Sequence, residues 1–458
     1  MEPYKVRVVE PLCWTTREER EAALRKAHFN LYALDSDKVL IDLLTDSGTC
    51  AVSHNQMADM MRGDESYAGS ASFRRMERAV QNLFGYEHVL PAHQGRAAER
   101  LLIQALAPAG SLLPSNTIFD TTRANCLDYG VEPVDFPCAE FWDFESDNPF
   151  KGNMDCAALD ALLSGPDAER VPFVLLTITN NICADLPVSM NNLREVSALA
   201  HRYGKPLYID ACRFAQNAWY IQHFEEGYAH CSIQEIVGKI FTLADGCIVS
   251  AKKDAMGQIG GFLAVRSTEV ARAARQRMLL SEGFLTYGGM TGRDMEAIAT
   301  GLWEGIGEAH LSCHMETTAY LHEQLRERGL PVIAPSGGHA VYLLAHRILP
   351  HLGPDEFSGQ ALAVELYREG GVRSARIAMN PQCGPLKGTC LEMLRLALPN
   401  RVYTYRHLDY VVECMARVTR RAETIAGLRL IRQPELLGGF MAEYEPAPAT
   451  EPASVAHA

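Results

Sequence analysis

The chain has 458 residues, 47% of them hydrophobic and 22% charged, enough for two or three domains around a substantial core. A formal charge of −13 with scattered basic residues argues against nucleic acid or an anionic membrane as partner, and no apolar run approaches the roughly 18 residues of a membrane span. Thirteen cysteines without a CxxC pair, and an N-terminus "MEPYKVRVVEPLCW" too charged for a signal peptide, lead to the expectation of buried free thiols in a cytoplasmic protein without a zinc site.

In chain order, "VLPAHQGRAAERLL" (89–102) places Gln94, Gly95 and Arg96 at the start of a helix. "VPFVLLTITN" (171–180) reads as a strand, "NNLREVSALAHRYG" (191–204) as a helix closed by glycine, and "KPLYIDA" (205–211) as a strand. "IQEIVGKIFTLADG" is then a helix and "CIVSAKK" a strand. Nearly continuous apolar strands alternating with helices predict an α/β fold, a mostly parallel sheet covered on both faces, with ligands bound beyond the strands' carboxyl ends. From Leu311 the texture changes to a helix (311–329), a hairpin-like pair around Gly337 and Gly338, and two helical segments flanking the strand "MLRLALP". This predicts an N-terminal arm joining the small domain (1–48), a large domain (49–310), a small α+β domain (311–443) and a Pro/Ala/Glu-rich disordered tail (444–458).

Two lysines at the mouth of an apolar strand, in "CIVSAKKDAMGQIGGFLAV" (247–265), pose a chemical question. A desolvated ammonium is costly unless paired or neutralised, and a neutral lysine is a nucleophile whose neighbour helps depress its pKa. Alone, a lysine pair is usually a solvated turn, an aspartate after a strand is often a helix cap, and "HQGR" fits an ordinary helix start. Their order matters more: a glycine-led helix start suited to phosphate, then Asp210 and Arg213 in "YIDACR", then Ser250, Lys252 and Lys253. Pyridoxal phosphate requires that set: a Schiff-base lysine, a carboxylate for the ring nitrogen and a phosphate cradle.

The stretches "IDLLTDSGT" (41–49), "MMRGDESYAGS" (60–70), "HQGRAAE" (93–99), "SAKKDAM" (250–256), "YGGMTGRDMEAIATGL" (287–302) and "RVYTYRHLD" (401–409) resemble the tyrosine phenol-lyase and tryptophanase family, from about residue 4 to residue 443. The resemblance implies a β-eliminating lyase of the aspartate-aminotransferase-like fold type I, with pyridoxal phosphate and potassium, acting as a homotetramer of paired dimers. It matches Lys253 to the Schiff-base lysine, Asp210 to the partner of the ring nitrogen, and Arg213 and Asn181 to contacts of the ring oxygen. Phe119 matches the residue stacked on the ring, and Gln94, Gly95, Arg96 and Ser250 match the phosphate cradle. Arg395 matches the substrate-carboxylate clamp, Thr45 and Ser47 a closing loop, Tyr67 the acid for the leaving group, and Glu65 with Gly48 a cation site shared between subunits.

At the leaving-group markers, Asp120 in "IFDTTR" sides with tryptophanase, and Ile377 stands where the phenol-lyase has an arginine; Arg376 replaces it if the register slips by one. A third marker differs from both members: Gly439, with Phe440 next to it. The family's Gly-Gly-Gln-Pro stretch reads here as "ADLP", with Asp185 and Leu186 near the cofactor. His339 matches a family histidine near the site, and a structural role fits it equally. Tyr287 either lines the site or belongs to a tight turn, and Cys212 reads as a small buried hydrophobe. The expectation is elimination from a tryptophan-like amino acid giving an indole-type leaving group, pyruvate and ammonium. Lysis of tyrosine or a substituted phenol, and C–S lysis or β-replacement on S-substituted cysteine, remain alternatives.

Overall fold

The computed structural model describes residues 1–379 and 383–448. Its centre is a seven-stranded sheet in spatial order His88–Ala92, Gly261–Val265, Gly246–Ser250, Leu207–Asp210, Val174–Thr177, Leu112–Ser115 and Glu132–Asp135. Every pairing is parallel except those of Gly261–Val265, which runs antiparallel to both neighbours. Alternate residues of the central strands enter two separate cores. Val174, Leu176, Ile209 and Val249 pack on the layer that includes helices Ala71–Phe84, Met190–Arg202, Phe214–Phe224 and Ile233–Thr242. Leu175, Tyr208 and Ile248 pack beneath helices Gly95–Leu106 and Thr268–Ser281. Burial on both faces is why these strands read as unbroken apolar runs rather than as an alternating pattern.

The C-terminal part holds a three-stranded antiparallel sheet, in order Ala375–Met379, Leu391–Ala397 and Ala340–Leu344. The N-terminal segment packs with it. Ile41–Asp42 pairs in parallel with Val372–Arg373, and Leu24, Leu31 and Leu43 share a core with Leu343, Leu366 and Leu394.

Three details differ from the sequence expectation. The hairpin around Gly337 and Gly338 is reduced to a single bridge between Val332 and Leu343. Proline has no N–H to give a ladder, and Pro331 and Pro335 flank that segment. Strand Ala375–Met379 is an addition to the predicted elements. Residues 443–446, assigned in part to the tail, form a strand with Leu428–Arg432, so the tail cannot start at 444; residues 449–458 lie outside the described region.

Candidate active site

Strands 174–177, 207–210 and 246–250 end side by side; Asp210 and Ser250 are the last residues of two of them, and the segments that follow carry Asn181, Arg213 and Lys253, all buried. Asp210 lies within electrostatic reach of Lys253 and Arg213, and burial raises its carboxyl from the ordinary range against their pull. The Cys212 thiol donates to Asp210 Oδ1 at 2.9 Å and accepts the Ser250 N–H at 3.3 Å, so it is a polar member of the site and not a simple hydrophobe. Burial lowers the Lys252 ammonium, and Lys253 and Arg96 add to the effect. Asp254 fastens this loop to helix Phe214–Phe224. Its Oδ2 accepts the N–H groups of Ala215 and Gln216 at 2.8 and 3.0 Å, the service an N-cap side chain ordinarily gives.

Gln94 caps the helix that begins at Gly95, whose first N–H groups have no helical acceptor. A Cβ on Gly95 would stand 2.6 Å from Ser250 Cβ, so only glycine lets the helix end sit against the strand end. The result is a hydroxyl and a helix N-terminus facing one spot, suited to phosphate. Beneath it, Glu99 accepts from the Thr121 hydroxyl at 3.0 Å, and burial together with Asp210 raises its carboxyl.

Arg213 is held by Asp46, Nε to Oδ2 and Nη2 to Oδ1, each at 3.0 Å. Its Nη2 also lies 3.1 Å from His339 Nε2. His339 is fully buried and its Nδ1 touches Asp185, so it is both structural and one residue removed from the site arginine. Asp46 lies between Thr45 and Ser47. That loop rests on the lysine pair through the Gly48 N–H, which donates to Lys252 O at 2.8 Å.

Arg395 forms the opposite wall. One Nη donates to Leu44 O at 2.7 Å, while its buried Nε has no partner. Asp120, first residue of helix Asp120–Asp128, keeps surface exposure yet lies within electrostatic reach of Arg395; desolvation by its surroundings raises its carboxyl, and Arg395 and Arg123 oppose that. Tyr342, opposite Arg395 in the sheet, reaches Asn181 Oδ1 at 3.5 Å. Tyr32 also senses Arg395 and Asp120, and its ring meets Phe440 edge-on at 4.8 Å. The Asn30 amide pins this corner by donating to Ala442 O at 2.8 Å and to the carbonyls of Gly439 and Phe440 at 3.4 Å. Nothing lies within 4 Å of where a Gly439 Cβ would stand.

The register separates Ile377 from Arg376. Ala375 pairs with Arg395 and Ile377 with Met393, so Ile377 shares the face of Arg395. Arg376 points to the other face, bonding Glu392 at 2.8 and 3.0 Å, and is therefore excluded as a substrate contact.

Tyr67 and Glu65 stand outside the buried group. Tyr67 is 69% exposed, stacked on Phe284 at 5.2 Å and tilted on Tyr287 at 5.5 Å. Tyr287 thus both precedes a tight turn, with Gly288 and Gly289 at positive φ, and joins an aromatic patch. Glu65 is exposed with Arg293 at 4.0 Å, and the nearest neighbours of a Gly48 Cβ would be Gln258 and Lys252.

Six participants lie outside the residues singled out from the sequence: Asn30, Tyr32, Asp46, Glu99, Asp254 and Tyr342. Only Glu99 carried a readable signal, a charge three and four residues before Leu102 and Ile103 on the apolar stripe of its helix.

The β-eliminating lyase family model matches residues 42–414. This chain belongs to that family. It is 49% identical to a tryptophanase of Hyphomonas neptunium, over 97% of this chain and 99% of that one, and 48% identical to a tryptophanase of Rhodobacter capsulatus over the same shares. It is 43% identical to a tyrosine phenol-lyase of Symbiobacterium, over 97% of this chain and 98% of that one. Among solved structures it resembles a serine palmitoyltransferase of Sphingomonas wittichii, with TM-score 0.61 and 16% identity over 89% of this chain and 97% of that one, a likeness of fold alone. The fold is that of the type I pyridoxal-phosphate enzymes, and the chain is a pyridoxal-phosphate-dependent lyase. The residues fit that cofactor: the glycine-lined end of helix 95–106, the buried carboxylate of Asp210 and the orphaned Nε of Arg395 are the features it and its substrate require.

Proposed function

We propose that this β-eliminating lyase cleaves a tryptophan-like L-amino acid between Cβ and the ring, yielding an indole-type product, pyruvate and ammonium. The observation that carries the reading is a buried, partly unpartnered arginine within electrostatic reach of a carboxylate. Arg395 suits the substrate carboxylate, and Asp120 beside it offers an acceptor to a ring N–H.

Bound pyridoxal phosphate supplies an electron sink for negative charge developing at the substrate Cα. Lys253 would hold the cofactor through its Nζ and would be the base for the substrate α-proton. Asp210 would keep a proton on the ring nitrogen, Arg213 and Asn181 would hold the ring oxygen, and Phe119 would cover the ring face. Gln94, Gly95, Arg96 and Ser250 take the phosphate. Arg395 fixes the carboxylate while Thr45 and Ser47 close over it. Tyr67, exposed in the single chain, would deliver a proton to the departing ring carbon of a site completed by a second copy, and Ile377, Phe440 and Tyr32 would enclose the ring. One water balances the reaction: the ring leaves with hydrogen, and the three-carbon remainder ends as pyruvate and ammonium.

The exposed loop bearing Glu65 and Tyr67 supports assembly against a second copy, with Glu65 and the Gly48 carbonyl as potassium ligands in a dimer-paired homotetramer. The twelve cysteines with described side chains are all free, which supports a cytoplasmic setting. Among the described residues no helix is long and apolar enough to cross a membrane.

The test is a coupled pyruvate assay with potassium and pyridoxal phosphate against tryptophan, tyrosine and S-substituted cysteines. Tryptophan is expected to be the best substrate, and Lys253→Ala is expected to abolish both turnover and the visible absorption of the cofactor. Pyruvate from tyrosine or from cysteine derivatives only would overturn the assignment of the leaving group.

A further inference from the structure

Asp185 and His339 are 154 residues apart in sequence and both wholly buried. Asp185 follows Ala184 in a turn where both have positive φ, +64° and +52°, a conformation unfavourable for a non-glycine residue. At that cost the chain places a carboxylate with defined partners. Oδ1 accepts the Thr179 hydroxyl at 2.6 Å, and Oδ2 accepts the backbone N–H of His339 at 2.5 Å while touching its Nδ1. The loop before His339 closes tightly around it: a Cβ on Gly337 would stand 3.1 Å from Asp185 Cβ, and one on Gly338 3.2 Å from Asp185 Oδ2.

The tautomer of His339 follows. Arg213 Nη2, 3.1 Å from His339 Nε2, can only donate, so Nε2 accepts and the ring's single proton sits on Nδ1 against Asp185. With Nε and Nη2 of Arg213 committed to Asp46 and His339, Nη1 is its least engaged nitrogen. The Thr179 carbonyl is at 3.5 Å from it and Asp185 Oδ1 at 3.7 Å. The charged and titratable groups around this cluster are Asp46, Asp210, Asp254, His314, Tyr220, Tyr342 and Lys253.

We infer that Asp185 is a positioning residue for the cofactor: by fixing the His339 tautomer it locks Arg213 so that Nη1 is presented to the cofactor's ring oxygen. This rests on the assignment of Arg213 to the ring oxygen made above. A donor held there favours the deprotonated ring oxygen, so loosening it raises the pH at which the bound cofactor titrates. Plain removal of the Asp185 charge would lower that pH instead.

The experiment follows the visible absorbance of the holoenzyme as a function of pH. Asp185→Gly, which takes φ +64° freely, is expected to raise the midpoint by about half a pH unit or more. Asp185→Asn, which keeps an acceptor for Nδ1–H, is expected not to raise it. In a His339→Gln background, Asp185→Gly is expected to add nothing further. An unchanged or lowered midpoint in Asp185→Gly, or shifts that simply add in the double variant, would overturn the inference. Should Asp185→Gly fail to fold, Asp185→Ser, too short to reach Nδ1, takes its place with the same expected rise. A wild-type protein that takes up no pyridoxal phosphate would instead sink the cofactor assignment itself.

Discussion

Arg213 and Asp46 meet at two points, Nε to Oδ2 and Nη2 to Oδ1, each at 3.0 Å, with 3% and 1% of their side chains open to solvent. Breaking one half of a buried pair strands the other charge. Asp46→Asn is therefore expected to cost about 3 kcal/mol of stability, measured by denaturant unfolding of the apoprotein. Burial works to raise the Asp46 carboxyl, but Arg213, His339 and Lys253 hold it well below the usual range. A carboxylate lowered on folding contributes fully above its unfolded value of about 4 and is lost as pH falls from there. Wild-type stability should accordingly drop below pH 4 more steeply than that of the variant.

Asp254 has the opposite sign. Burial pushes its carboxyl up to about 7 despite the N–H groups of Gln216 and Ala215. The native state then holds a proton that the unfolded chain has released, so stability declines as pH rises from about 4 to about 7. Asp254→Asn should flatten that decline. The Gln216 amide can rotate to suit the new side chain, since its Oε1 has no partner. Thermal unfolding between pH 5 and 8 reads the difference, and parallel curves for the two proteins would refute it.

A methyl group at residue 95 tests the phosphate cradle. With Ser250 Cβ only 2.6 Å and Cα 2.9 Å from the new atom, Gly95→Ala must part the helix end from the strand end. Overpacking of this kind costs about 1–3 kcal/mol. Applied to the cradle, it should weaken pyridoxal-phosphate binding roughly ten-fold or more in a fluorescence titration, with the circular dichroism of the fold retained.

Asn30 offers a test of the ring pocket from a distance. Its amide holds the carbonyls of residues 439, 440 and 442, and with them Phe440 against Tyr32. Hydrogen bonds of this type contribute about 0.5–1.5 kcal/mol each. Asn30→Ala should raise KM several-fold for an aromatic substrate and leave that for S-methylcysteine unchanged. Equal changes for both would show that the corner does not read the ring.

Much of this architecture could be read from the chain because burial on two faces writes long apolar runs, as at Val174–Thr177 and Gly246–Ser250. Strand 375–379 was hidden by its own arginine. Arg376 looks like loop chemistry until Glu392, sixteen residues on, accounts for its charge. The strand-end residues Asp210, Ser250 and Lys253 were legible because their neighbours in sequence define the strand mouths. Asp46 was not, since its partner Arg213 lies 167 residues away. Tyr32 is likewise linked to Phe440 and Arg395 only by tertiary folding, and no spacing rule connects them.

The small sheet has a parity with consequences for changing what this enzyme accepts. Met379, Met393 and Tyr342 enter one cluster with Ile377 packed against it, while Val341, Leu343 and Leu394 enter another. Arg376 and Glu392 lie on the second side, against Gly359 of helix Ser358–Gly370. New polar chemistry written at even-numbered positions of strand 375–379 therefore disturbs the scaffold and never meets the substrate. At odd-numbered positions it arrives beside Arg395. A cation introduced at Ile377 would face the same cleft as that arginine and raise its local charge, so discrimination between ring types is to be sought by alternate steps along one strand.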